Sequence, residues 1–315
     1  MIRKTVCAAA ASLLLLAAAA PDTDQPLWRA THGLLIGIAR AGNRLVAVGD
    51  RGHVLLSDNN GTSWRLAKSP ADELLTDVIF PMPAEGWAVG QDETILHSVD
   101  AGQSWTQVHF VPNADQNLFS IVSIAPGHLL ASGAYNLMLE TEDGKTWKDE
   151  KLADLDDDYH LNCAAARGDD VLITGESGHA FLRHAGAWAK IPVPYDGSQF
   201  GCLVGADGSL YSFGLRGSLF RQAPGAAAWS RIDTGGPRPI FGGVTLPDGK
   251  LALVGGNGLA LLSDPGSGKI TTLHTGTDAA LSGIVQAQDG KLVIVGDDGV
   301  HIVDPGSATG QDPGL

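Results

Sequence analysis

Arg51, Arg216 and Arg238, together with Tyr135 and Glu176, are residue types that hydrolysis of an acidic sugar requires. Guanidinium groups can hold a substrate carboxylate through paired N–H donors, and a tyrosine activated by a glutamate can attack the sugar ring. The chain holds four tyrosines, and its arginines are scattered along its whole length, so such a set arises without design. No H-E-x-x-H, G-x-S-x-G or C-x-x-C pattern is present. Gly255-Gly256-Asn257-Gly258 reads as a hairpin turn and not as a phosphate cradle, because no helix follows it. No metal or cofactor is expected. Glycoside hydrolysis stands as the alternative to a non-catalytic reading.

The elements that must position these residues form a repeat. Leu74 to Trp105 contains three short apolar runs, LLTDVIF, GWAVG and TILHSV, and a fourth begins at Trp105. Each is strand length, rich in β-branched and aromatic residues, and bounded by Pro, Gly or Asp. The glycine closing the second run recurs at Gly49, Gly90, Gly133, Gly175, Gly214, Gly255 and Gly296, 39 to 43 residues apart. A tryptophan follows it at Trp64, Trp105, Trp147, Trp188 and Trp229, with Ile270 in the sixth unit. Seven such units predict an all-β fold, a seven-bladed β-propeller of four-stranded antiparallel blades. The seventh unit runs out of chain, and PLWRATHG around Trp28 is similar to TSWRLAKSP around Trp64. The N-terminal strand is therefore expected to close the last blade.

Residues 1–20 combine a basic start, an apolar centre and a small-residue end, the pattern of a secretory signal peptide. The propeller is assigned to residues 21–304 and a loose tail to 305–315, with a periplasmic or secreted location. No transmembrane helix is expected in the mature chain. The whole chain has a formal charge of −14, and losing the leader removes two cations and no anion. Such a chain has no electrostatic footprint for nucleic acid. The two remaining cysteines, Cys163 and Cys202, follow small residues at what read as equivalent positions of neighbouring blades. Equivalent side chains point the same way round a ring, so two buried thiols are expected in preference to a bridge.

The innermost strands carry a small or polar residue near the middle: Gly37, Asp77, Ser120, Asn162, Gly201, Gly243 and Gly283. Crowding at the axis explains them, and Asp77 and Asn162 are candidates to hold channel water. The turns after the repeated glycine share one face with the blade-to-blade connections. That face is the expected partner-binding surface, carrying Arg51, Asp92, Tyr135, Glu176, Arg216, Arg238, Asn257 and Asp298. The acidic connection from Lys148 to His160 lacks the ligand spacing of a calcium loop and reads as solvated.

Ser98-Val99-Asp100-Ala101-Gly102-Gln103-Ser104-Trp105 matches S-x-D-x-G-x-[ST]-W, the Asp-box of bacterial neuraminidase repeats. Blade one offers Ser57, Asn59, Gly61 and Trp64 at the same spacing, and blade three Glu142, Gly144 and Trp147. The motif is a folding device: a carboxylate accepts backbone N–H groups, glycine permits the bend, and the tryptophan packs over the hairpin. The run D-V-I-F…G-W-A-V-G…I-L-H-S-V-D-A-G-Q-S-W resembles the photosystem II stability/assembly-factor-like propellers. That resemblance implies a non-catalytic assembly or accessory factor acting through a protein partner, such as a membrane or envelope complex. In phototrophs its members assist photosystem II assembly and carry an arginine patch on one face. Relatives in non-photosynthetic bacteria are exported, some with envelope transport systems. The turn face here has few arginines among many acids.

Overall fold

The structure, a computed structural model, describes residues 25–152 and 158–307. The expected signal peptide, part of the acidic connection and most of the tail lie outside the described residues. Seven antiparallel sheets surround a central axis; six have four strands and the seventh has three. The chain runs outward through each sheet, and the inner strands of neighbouring blades lie side by side. Second strands such as Gly86–Gly90 and Leu251–Gly255 are buried at every residue, because a neighbouring blade covers each face. The repeated glycine answers a close approach: a Cβ on Gly49 would stand 2.2 Å from the Leu34 carbonyl oxygen.

The tryptophans stitch each blade to the one before it. Trp105 packs with Val46 and Leu56 of blade one and meets Phe80 edge-on at 5.8 Å. Trp147 joins the blade-two cluster of Trp87 and Val89. Trp188 joins that of blade three, and Trp229 packs beside Leu172 and Leu182 of blade four. Trp64 has no earlier blade in sequence and packs against Val293 and Val300 of blade seven. Asn60 adds a polar contact there, its Oδ1 accepting the Gln288 N–H at 3.3 Å. The first tryptophan therefore helps to seal the ring.

The N-terminal segment differs from the expected closing strand. Gln25–Thr31 is a short helix beside the three-stranded last sheet. Leu27 and Ala30, three residues apart, share one side of it and pack with Leu35, Val295 and Val300. QPLWRAT also lacks the β-branched run a strand would favour. Trp28 is 62% exposed and stacks on His32 with ring centroids 4.8 Å apart, so it does not take the place of a box tryptophan.

Register around the axis corrects two further expectations. Gly37, Asp77, Ser120, Cys163, Gly201, Gly242 and Gly283 each pair with the residue just before the repeated glycine. Cys163 and Gly242 belong to this ring, and Asn162 and Gly243 do not. Cys202 lies one residue beyond its ring member Gly201, so it faces the opposite side of its sheet from Cys163 and meets it. The two form a disulfide between blades four and five, with Cα atoms 5.8 Å apart, in place of two thiols.

This bridge continues a polar series. Asp77 Oδ2 accepts from Ile121 N at 3.0 Å and from Ser120 Oγ at 3.2 Å, and Ser120 Oγ accepts from Ala164 N at 3.2 Å. Cys163 then reaches Cys202, the blade-five counterpart of Ile121 and Ala164. Asn162 serves a parallel link, donating to the Gln199 carbonyl at 2.9 Å as Thr76 donates to that of Leu118 at 2.8 Å. Where the blades crowd, the ring position is glycine: a Cβ on Gly242 would lie 2.1 Å from the Ser282 carbonyl oxygen.

Candidate partner-binding face

In blades one to six the turn after the second strand places two successive residues in the left-handed region. The first of each pair is Arg51, Asp92, Tyr135, Ser177, Arg216 or Asn257, with φ between 52° and 55°, and the second is glycine except in blades two and three, where it is Glu93 and Asn136. Each non-glycine residue held there costs about 1–2 kcal/mol of local strain. The turns hold this shape because they are bonded to the linker leading into the next blade. Gly52 N donates to Glu73 O at 2.7 Å, Asn136 N to Tyr159 O at 2.8 Å, and Gly258 N to Ala279 O at 2.8 Å. A linker-bonded rim therefore carries Arg51, Asp92, Tyr135, Arg216 and Asn257 at equivalent points.

Three expected members depart from that pattern. Glu176 stands one residue before the rim position, which Ser177 takes, and its Oε2 accepts the His160 N–H at 3.0 Å. Asp298 lies in the shorter blade-seven turn, where Gly296 pairs with Gly299. Burial pushes its carboxyl up, but the His301 imidazole at 2.7 Å and the Thr277 hydroxyl outweigh burial and hold it below the usual range. Arg238 sits on the connection into blade six and donates to the Asn257 carbonyl at 3.4 Å.

The face has a hub that the spacing of residues did not reveal. His160 accepts the Tyr135 N–H on Nδ1 at 3.2 Å and lies edge-on to Tyr135 and Phe119, with centroids 4.8 and 5.6 Å away. Tyr135, 48% exposed, thus stands on a supported aromatic base. Across the ring, Phe200 and Phe241 of blades five and six approach at 5.5 Å. Phe119, Phe200 and Phe241 each stand second in their inner strands and supply this lining.

The contacts of the candidate hydrolase residues do not favour hydrolysis. Arg51 and Arg216 stand on blades one and five, and Arg51 faces its neighbour Asp50 at 3.4 Å. Glu176 engages the His160 backbone and not a tyrosine hydroxyl.

The Asp-box residues behave as folding devices on the opposite side of the blades. Asp100 Oδ1 accepts from Ser98 Oγ and Ser104 N, each at 2.9 Å, and Trp105 Nε1 donates to Gly102 O at 2.9 Å. Asn59 takes the same part between Ser57 and Ser63, and Trp64 donates to Gly61 O. In blade three the acceptor is Asp143, and not Glu142 as expected. Its Oδ1 takes N–H groups from Thr146 at 2.7 Å and Lys145 at 2.8 Å, with the Thr141 hydroxyl at 3.0 Å. Those bonds hold the Asp143 carboxyl well below the usual carboxylate range. The box is one residue shorter there, so the carboxylate moves next to Gly144.

A cleft of about 810 Å³ opens beside this box, between blades three and four. Glu140 meets Arg183 at 2.7 Å and His128 at 2.5 Å within it. Burial pushes the Glu140 carboxyl up, but Arg183 and His128 outweigh it and hold it low. Arg183 also lies 5.5 Å from the Trp188 ring centre, so the cluster is internally satisfied.

A family model described as photosynthesis system II assembly factor YCF48 matches residues 30–122. YCF48 bound to D1 peptide shares 17% identity with this chain, covering 87% of it and 93% of that chain, at a TM-score of 0.70. YCF48 from Cyanidioschyzon merolae shares 17% over 87% and 96% of the two chains, also at 0.70. A streptogramin B lyase shares 14% over 87% and 94%, at 0.76. No curated protein matches. The chain resembles the photosystem II assembly-factor-like propellers, and likeness at these identities is one of fold. Among the described residues, no helix is long and apolar enough to cross a membrane.

Proposed function

We propose that this protein is an exported, non-catalytic propeller that acts as an assembly or accessory factor by holding a protein partner against its turn face. The observation that carries the reading is the rim itself: differently charged side chains stand at equivalent, linker-locked turns, and Glu176 engages the His160 backbone. Rigid presentation of varied side chains lowers the ordering cost of binding a protein and does not assemble a reaction centre. The YCF48 resemblance supports the assembly role, and the YCF48 structure with D1 peptide supports a peptide or protein ligand. The Cys163–Cys202 disulfide and the leader-like residues 1–20 support an oxidising compartment, periplasmic or extracellular. A membrane or envelope complex, such as a transport system, is the partner class that fits this location.

The test is capture from a detergent-solubilised envelope fraction with the full chain as bait. Arg51→Glu combined with Arg216→Glu, and separately Tyr135→Ala, should reduce recovery of a specific partner. Equal recovery by parent and variants would remove the turn face from the proposal. Turnover of a fluorogenic sialoside that disappears in Tyr135→Phe would replace the proposal with hydrolysis.

A further inference from the structure

A second cleft, of about 610 Å³, opens between blades four and five on the side away from the turn face, so its chemistry is independent of the partner proposed for that face. Its walls are apolar: Leu182 and Ile191 come from blade four, and Val204, Leu210 and Pro224 from blade five. Two polar side chains, Gln222 and Arg167, line it without a partner of their own.

Gln222 pairs with Leu210 as Ser57 pairs with Leu45, Ser98 with Gly86 and Thr141 with Leu129. It therefore stands where blades one to three carry the first residue of the Asp-box. In blades one and two that hydroxyl is taken up by its own turn. Ser57 Oγ and Ser98 Oγ accept the Gly61 and Gly102 N–H groups at 2.9 and 3.0 Å and donate to Asn59 and Asp100. Blade five has Pro224 in place of the box acid and Ala226 in place of the glycine, so its turn has no carboxylate to receive Gln222. Gln222 is 9% exposed, and among the described residues its carboxamide makes no hydrogen bond. A buried amide in that state marks a place where a partner is missing.

Arg167 ends the inner strand of blade four, Cys163–Arg167. A Cβ on Gly208 would stand 3.2 Å from Arg167 Nη1, so the guanidinium reaches across the seam onto a blade-five hairpin. Among the described residues it has no ion pair and no side-chain hydrogen bond. The two carboxylates of the same cleft are already engaged. Asp170 meets His184 at 2.5 Å, and Asp207 meets Arg221 at 3.0 Å and the Ser209 N–H at 2.9 Å. The uncommitted charge at the cleft is positive, in a chain whose formal charge is −14.

We propose that this cleft binds a small acid with an apolar body, a carboxylate and an amide group, the chemistry of an N-acylated amino acid or of a peptide C-terminus. Arg167 pairs with the carboxylate through charge-assisted N–H donors. The Gln222 carboxamide offers both donor and acceptor, the complement of an amide. The walls cover the body, and an apolar cleft of this size with a few polar groups is the usual form of a small-ligand site.

N-Hexanoylglycine serves as the probe, titrated calorimetrically into the full-length protein. Its neutral amide lacks the charge, and nonanoate, of equal length, lacks the amide group. Saturable binding of the probe is expected, with backbone amide shifts at Gly208 and Gln222. The neutral amide should bind at least about tenfold more weakly, and Arg167→Gln should remove that preference. Gln222→Leu should move the preference from hexanoylglycine towards nonanoate by about tenfold. Arg167 is exposed, so its variant keeps the test intact if the Gln222 variant misfolds. The tripeptide Ala-Ala-Leu carries the same groups, and whichever of it and hexanoylglycine binds more tightly names the source of the acid. No saturable heat up to about 5 mM, equal binding of the acid and its amide, or an Arg167→Gln variant that keeps the full preference would overturn the assignment. Shifts confined to the turn face would overturn it as well.

Discussion

Asp77 offers the sharpest quantitative test. Its carboxyl is enclosed between blades two and three, although the residue keeps some surface at the channel. Burial pushes its pKa up from 3.8 to about 6, against the opposing pull of hydrogen bonds from Ile121 N, Val78 N and Ser120 Oγ. A carboxyl raised in the folded state holds its proton longer than in the unfolded chain. Folding stability therefore falls as pH rises from about 4 to about 6, and stays lower above that window. At about 1.4 kcal/mol per pKa unit, the shift corresponds to roughly 3 kcal/mol as an upper bound. The informative variant is Asp77→Ser, because Ser120 at the equivalent position already accepts the next blade's N–H through its hydroxyl. The serine keeps that acceptor and removes the titration. Calorimetric melting of both proteins from pH 4 to 8 should show the variant gaining on the parent as pH rises. At about 2 °C per kcal/mol for a chain of this size, the gap between the two should widen by roughly 4–6 °C. Other carboxylates titrate in both proteins and cancel in the difference. A difference that is flat with pH, or that narrows as pH rises, would refute the placement of Asp77 in a desolvated seam.

Trp64→Ala should lower stability by about 3–5 kcal/mol in urea unfolding, because it removes the apolar wedge between the first and last blades. The equivalent loss from exposed Trp28→Ala should be under about 1 kcal/mol. Cys163→Ser paired with Cys202→Ser should destabilise by about 4 kcal/mol on the loop-closure estimate for a separation of 39 residues. Mass spectrometry of the unreduced parent should find a single linked peptide joining Cys163 and Cys202. Asp143→Ala should lower the melting temperature and Glu142→Ala should not, since only Asp143 accepts the turn's N–H groups. The Asp143 contribution should be present above pH 4 and disappear as pH falls below that, the direction required of a carboxyl held low in the folded state.

The blades were legible because strand length, apolar alternation and the repeated glycine each answer a local steric demand. Gly49 is needed wherever the start of an inner strand crosses the second strand, so its spacing reports the repeat faithfully. The errors arise where a one-residue shift reverses a side chain. Cys163 pairs with Thr174, and Gly201 pairs with Phe213 across a hairpin one residue longer. That single residue turned Cys202 to the other face and converted two apparently parallel thiols into a bridge. A similar contraction moved the blade-three carboxylate from Glu142 to Asp143. The helix at Gln25–Thr31 escaped notice for another reason. Its resemblance to the Trp64 stretch rests on Trp-Arg alone, while Leu27 and Ala30 at helical spacing carry its packing.

The turn face was legible as a place and much less so as a set of residues. Its backbone is dictated: the linkers bond to the turns, and in blades one to six each turn holds two successive residues at positive φ. Nothing in that demand selects a side chain, which is why arginine, aspartate, tyrosine, serine and asparagine all occupy the same point. A position fixed in space and unconstrained in chemistry is what a scaffold for varied partners requires. Glu176, one residue before Ser177, instead accepts the His160 N–H of the linker. Tyr135 is the rim residue whose geometry is most specific. A bulky aromatic is a poor choice for the left-handed region, and here it is supported from beneath by His160 and left half-exposed above. Tyr135→Gly should leave stability within about 1 kcal/mol of the parent, because relief of the turn is offset by the lost His160 contact, while reducing partner capture. A variant that folds as the parent does and still captures its partner fully would place the binding contacts elsewhere on the rim.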